Sequence, residues 1–174
     1  YENLFIRELQ EQDTDYLASL FVPALSDQHA GMLVSRLMAK RTAGEFMALL
    51  IFDEVDAFTG VMYLYDFKDE QCEIGYRIVN DMQGRGICTK AVACVLAYLK
   101  TYGITKATAR VKEDNTASLK VLQRNGFYRT IENEDDYIKY LIEGRCDDSD
   151  YCNHRKFLIA AFNEKTNEVV FCSK

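Results

Sequence analysis

The segment Gln83-Gly84-Arg85-Gly86-Ile87-Cys88-Thr89 constrains this chain more than any other. It follows the apolar strand-like run Glu73–Val79 and opens an amphipathic helix in which Ile87, Ala91, Val92, Val95, Leu96 and Leu99 recur at helical spacing. A strand passing through a glycine-rich turn into a helix belongs to an α/β architecture. The two glycines permit a tight turn that presents bare N–H groups to an anion. The helix adds its positive N-terminal end, and Arg85 adds a full charge. The turn therefore reads as a phosphate cradle. It is not a P-loop, because no Gly-Lys-Ser/Thr follows, and it is not a Rossmann fingerprint, because Thr89 stands at the third glycine position.

The rest of the pattern supplies a sheet and helices around this turn. Leu4–Leu9 reads as a strand, and Asp13 is placed to cap a helix carrying Leu17, Leu20 and Phe21. A second helix is expected over His29–Ala43, with Leu33, Leu37 and Met38 inward and Gly44 as its stop. Phe46–Phe52 and Gly60–Tyr65 form a hairpin pattern about Asp53-Glu54-Val55-Asp56. After the long helix ends at Gly103, Lys106–Val111 alternates as a half-buried strand, Asn115 caps a short helix to Asn125, and Gly126 stops it. Tyr128–Ile131 and Tyr137–Ile142 are strands joined by an acidic turn. This order implies one α/β (α+β) domain over residues 1–143, with a mixed central sheet flanked by helices. Residues 144–174 change character: a polar stretch precedes a second hairpin pattern, Lys156–Phe162 with Glu168–Cys172. That C-terminal β-hairpin extends the sheet or packs on a neighbouring subunit, which would make a homodimer.

The 174 residues fit one domain, and 48% hydrophobic content suffices for its core. A net charge of −6 leaves no cationic excess to displace counterions, so nucleic-acid binding is not expected, and a cationic partner such as an amine fits better. No run is long enough to span a membrane, and Tyr1–Arg7 does not resemble a signal peptide. The six cysteines form no paired framework, which implies reduced thiols and a cytoplasmic protein. Cys146, Cys152, His154 and Cys172 offer a zinc set on paper, but without a Cys-x-x-Cys knuckle; free thiols are the favoured reading, and no metal is expected.

Downstream of the turn, Asn115-x-x-Ser118-x-x-Val121-Leu122-x-x-x-Gly126-Phe127 completes a pattern. Together with Gln83, Gly86 and the preceding Glu73-Ile74-Gly75-Tyr76-Arg77-Ile78, it resembles the GNAT superfamily of acetyl-CoA-dependent N-acetyltransferases, in its RimJ/RimL-like branch. The resemblance spans Leu4 to about Ile142. Cys88 departs from it, standing where the family carries Gly or Ala.

The resemblance implies direct attack of a primary amine, from a protein N-terminus or a small molecule, on the thioester of acetyl-CoA. It also implies that Gln83, Gly84, Arg85, Gly86, Ile87, Cys88 and Thr89 hold the pyrophosphate. Backbone groups at Ile78 and Val79 would face the pantetheine arm, with Asn115 contacting that arm or simply capping its helix. Glu73 is the first candidate for general base, against the alternative of a solvated edge residue; Glu132, Glu134, Asp135 and Asp136 are further candidates. The family's usual acid, a tyrosine seven residues after the asparagine, is replaced by Leu122, so Ser118 is the candidate acid, with Tyr128 behind it. A hydroxyl in a first helical turn can also bond only to its own backbone. The acceptor cleft falls to Tyr16–Ala43 and the terminal strands. Two rivals remain from other classes: a non-catalytic acyl-CoA-binding regulatory module and a nucleotide-binding regulator.

Overall fold

The computed structural model describes residues 3–134, 137–143, 157–163 and 168–173, with the backbone alone for 132–134 and the last two segments. Strand β1 (Asn3–Glu8) is followed by helices α1 (Thr14–Ser19) and α2 (Asp27–Thr42). Three strands come next: β2 (Phe46–Asp53), β3 (Phe58–Lys68) and β4 (Gln71–Ile78). A single 3₁₀ turn, Asn80–Met82, leads through the glycine-rich loop into α3 (Ile87–Thr101). Then come β5 (Lys106–Lys112), α4 (Thr116–Arg124), β6 (Tyr128–Glu134) and β7 (Tyr137–Glu143). Strands β8 (Phe157–Asn163) and β9 (Glu168–Ser173) close the chain.

All the strands join one sheet in the order β6-β7-β5-β4-β3-β2-β1-β9-β8. Every neighbouring pair is antiparallel except β4–β5, which is parallel. The sheet is therefore mixed. β9 pairs with β1, Leu4 opposite Phe171, so the terminal hairpin continues the sheet at that edge.

Helices cover both faces. On one, α3 and α4 bury Val92, Val95 and Leu122 against Leu49, Ile51, Met62, Leu64 and Ile74. On the other, α1 and α2 bury Leu17, Val34 and Leu37 against Ala48, Leu50 and Val61. This explains why β2 is apolar from Phe46 to Phe52: its alternate residues meet a different helical layer on each face.

Two local expectations differ from the structure. Asp13 stands at the start of α1 but makes no capping bond. Its carboxylate instead takes the Arg7 guanidinium at 2.7 and 2.8 Å and the Gln10 N–H at 2.7 Å, because an arginine across the turn is the stronger donor. Helix α2 begins earlier than expected: Ser26 accepts the His29 N–H, and the inner face is Ala30, Val34 and Leu37, with Leu33 and Met38 only partly buried.

Candidate active site

The parallel pairing of β4 and β5 covers only Gln71–Lys106, Cys72–Ala107 and Glu73–Thr108. Beyond it both strands continue, to Ile78 and Lys112, without pairing to each other. The sheet thus opens at Glu73 into a slot. Along β4, Val79 donates its N–H to the Thr59 carbonyl at 2.9 Å. By the alternation of an antiparallel ladder, residues 73, 75 and 77 then turn their backbone groups to β3, and 74, 76 and 78 turn theirs toward β5. Tyr76 and Ile78 therefore face the slot.

At Val79 the N–H is held by Thr59 and the carbonyl accepts from Met82, which leaves it one further lone pair for a ligand. The Ile78 carbonyl accepts from the Gln83 side chain at 3.1 Å, and the same amide reaches Asn80 at 3.2 Å. Gln83 thus ties the loop to the end of β4.

The loop itself has the geometry of an anion cradle. Gly84 and Gly86 have φ of 75° and 78°, and no side chain caps α3. The first-turn amides of Ile87, Cys88 and Thr89 have no carbonyl one turn earlier in the helix to receive them. They point with the helix dipole toward the mouth of the slot. Arg85 is exposed in the loop, while the Ile87 side chain is buried in the core. Asn125 donates to the Thr89 and Val121 carbonyls at 3.1 and 2.9 Å, fixing α4 against the start of α3. Cys88 is partly buried beside Tyr76, and burial pushes its thiol up to about 12, so it behaves as a small apolar group. A loop of αL glycines, open amides and an adjoining slot fits the diphosphate and pantetheine of acetyl-CoA.

Glu73 lies at the point where the slot opens. Cys72 and Ile74 belong to the α3 side, so Glu73 projects to the α1–α2 face, and it is 6% exposed. Its Oε1 accepts the Tyr65 hydroxyl at 2.8 Å and Arg110 Nε at 2.6 Å. Burial, then the Glu73 hydrogen bond and charge, hold the Tyr65 phenol up to about 12, and the same carboxylate raises Arg110. The solvated-edge alternative for Glu73 is thereby replaced by a buried, oriented carboxylate. Tyr65 in turn stacks on Phe46 at 5.7 Å.

Ser118 lies across the slot, in the first turn of α4. Its N–H donates to Asn115 Oδ1 at 3.1 Å, so Asn115 caps the helix, and its carbonyl accepts the Tyr76 hydroxyl at 3.4 Å. Leu122 is buried in the core and Tyr128 is half exposed on β6. Glu73 thus projects to the α1–α2 face, and the Ser118 backbone meets the Tyr76 hydroxyl on the α3–α4 side. The side chains of Glu132, Glu134, Asp135 and Asp136, and the zinc set Cys146, Cys152, His154 and Cys172, lie outside the described residues. Among the described residues no cluster could hold a metal, and Cys72, Cys88 and Cys94 are free thiols.

Sequence reasoning missed Tyr65, Tyr76, Arg77 and Arg110. Strand alternation placed Arg110 on the outer face of β5, but its partner lies 37 residues earlier in the chain and meets it only through the β4–β5 register.

The family described as "Acetyltransferase (GNAT) domain" matches residues 3–128. No curated protein sequence matches the chain. Among solved structures, it resembles the Salmonella typhimurium acetyltransferase that modifies the N-terminal serine of ribosomal protein L7/L12, with 20% identity and a TM-score of 0.72 over 83% of this chain and 97% of that one. The Mycobacterium smegmatis RimJ in complex with CoA-disulfide gives 19%, 0.69, and 80% and 81% coverage. A spermidine N-acetyltransferase chimera from Vibrio cholerae and the human enzyme gives 16%, 0.68, and 80% and 95%. The slot, the cradle and the match over residues 3–128 make the chain a member of the GNAT family, an acetyl-CoA-dependent N-acetyltransferase.

Proposed function

We propose that this enzyme acetylates the N-terminal amine of a peptide or protein. One observation carries the choice over a polyamine: the single carboxylate described where the slot opens, Glu73, is already engaged by Arg110, and Arg77 adds a further cation on the same face of β4. A polycation would meet like charge there, whereas one amine needs only one carboxylate. The activity of the Salmonella acetyltransferase on an N-terminal serine supports the same reading.

Acetyl-CoA supplies the acetyl group on a thioester whose thiolate leaves readily. The amides from Gly84 to Thr89 receive the pyrophosphate, while Gln83, whose own N–H donates to the Asn80 carbonyl, braces the loop; the backbone of Tyr76 and Ile78 receives the pantetheine arm. Glu73, held by Tyr65 and Arg110, takes a proton from the acceptor ammonium directly or through water, and the neutral amine so formed attacks the thioester carbonyl. Ser118 donates its hydroxyl proton to the departing thiolate and regains one from solvent, as the C–S bond breaks and the amide is left behind. Both groups work within a slot that fixes their spacing.

Residues 1–143 carry this chemistry in our reading, and 144–174 form an extension whose strands continue the sheet. A cytoplasmic setting is part of it, supported by the free thiols. A homodimer is part of it too, supported by the exposed edge strand β6 with Ile131 wholly in solvent. No helix among the described residues is long and apolar enough to cross a membrane.

The test is CoA release from acetyl-CoA with peptides beginning in Ser or Ala, set against spermidine. Turnover of the peptides over spermidine is expected; turnover of spermidine alone would overturn the peptide assignment.

A further inference from the structure

Three arginines around the α1–α2 face are neutralised by carboxylates: Arg7 by Asp13, Arg41 by Glu8, and Arg110 by Glu73. Arg77 is different. It stands on the Glu73 face of β4, is exposed, and has no carboxylate partner among the described residues. Its guanidinium lies 4.6 Å over the ring of Phe21, in the segment after α1. Its charge also acts on Tyr63, opposing the rise that burial causes in that phenol. An arginine held over an aromatic ring keeps its donors directed while its charge stays open to an anion.

Its distance from Glu73 sets what that anion can be. Four residues of β4 separate the two, about 13 Å at the rise of a strand. Gly75 lies between them. A Cβ there would touch Tyr65 at 3.6 Å and Tyr63 at 3.9 Å, so its absence clears the floor below both rings. An amine at Glu73 followed by extended chain covers about 3.3–3.6 Å per residue along this floor. Its second or third side chain then comes within reach of Arg77. A free amino acid, with its carboxylate next to its amine, does not span the gap.

We propose that Arg77 selects acceptor N-termini that carry an acidic side chain at their second or third residue. The proposal rests on the peptide reading above and deepens it. The net charge of −6 had suggested a cationic partner; the local charge at this face asks for an anionic group beside the reacting amine.

The experiment compares initial rates of CoA release by the full chain for three acceptor sets: Ser-Asp-Glu and Ala-Asp-Glu peptides, their Asn-Gln counterparts, and free aspartate and glutamate. Wild type is expected to favour the acidic peptides about tenfold in kcat/KM, as suits one charge-assisted contact. Arg77→Gln is expected to remove that preference through the acceptor KM while the acetyl-CoA KM holds. Arg77→Lys is expected to retain part of it. Because Arg77 is exposed, both variants are expected to keep the wild-type Tm, which is measured alongside. Equal use of acidic and amide peptides, or a preference unchanged in Arg77→Gln, overturns the proposal and leaves the peptide reading intact. Free amino acids used better than peptides overturn the spacing argument. CoA release with none of the acceptors, while acetyl-CoA binds, overturns both readings.

Discussion

Glu73 makes the site asymmetric at the scale of single residues. Its carboxylate has two fixed donors at 2.6 and 2.8 Å, whereas Ser118 presents a hydroxyl on a helical turn whose backbone is already bonded. Glu73→Gln is therefore expected to lower kcat by about 100-fold, the low end for loss of a general base, with the acetyl-CoA KM unchanged in steady-state assays. Ser118→Ala should cost less, about tenfold or under, because a thiolate leaves with little help. Unchanged turnover in both variants would remove these assignments and spare the fold. Glu73 was legible as a candidate from its place in Glu73-Ile74-Gly75-Tyr76. Arg110 and Tyr65 were not, since each meets Glu73 through strand register and neither is its neighbour in sequence.

At the scale of elements, the site depends on how β4 ends and how α3 and α4 begin. Gly60 faces that end: a Cβ there would strike the Arg77 carbonyl and come within 2.8 Å of the Ile78 side chain and 3.0 Å of its Cα. Gly60→Ala must push this backbone aside. A loss of about 1–3 kcal/mol is expected in urea unfolding, together with weaker CoA binding by calorimetry. Gly86→Ala meets no neighbour but forces an alanine to φ 78°, costing about 1–2 kcal/mol and closing the cradle's geometry. In Asn115→Ala the cap to Ser118 is lost, at about 1 kcal/mol. Asn115→Asp should keep most of that stability; a full loss there would show that the side chain does more than cap. Each of these elements was visible in the sequence as periodicity plus a cap or stop. The 3₁₀ turn at Asn80–Met82 was not, being too short to show a period.

For the whole molecule, burial of acidic protons sets the response to pH. Burial pushes Cys72, Cys88 and Cys94 from 9.0 up to about 12, and burial with Glu73 pushes Tyr65 from 10.0 up to about 12. The folded state therefore holds these protons where the unfolded chain releases them. Their contribution is complete below about pH 9 and is lost as pH rises toward 12. Urea midpoints measured from pH 7 to 11 should be flat at first and then fall; a midpoint that rises above pH 9 would contradict the burial of these groups. The same thiols should resist alkylation at pH 8 until the protein unfolds. The total of −6 agrees with an amine acceptor, while two arginines, Arg110 paired with Glu73 and Arg77 over Phe21, stand on one face of the sheet.

The sequence by itself determined the mixed α/β architecture, the glycine-rich cradle ahead of α3 and the asparagine cap of α4. These are local: each follows from turn chemistry and side-chain period over a dozen residues or fewer. Only the tertiary structure decided where the sheet opens, because the β4–β5 register stops at Glu73–Thr108. It also decided which backbone groups line the slot and which charges stand beside it. Glu73 meets its two side-chain partners 8 and 37 positions away, and strand register does not repeat in any local pattern of the chain. A phosphate cradle could be read from seven consecutive residues. Its proposed use in acetyl transfer rests on a slot whose walls come from distant parts of the chain.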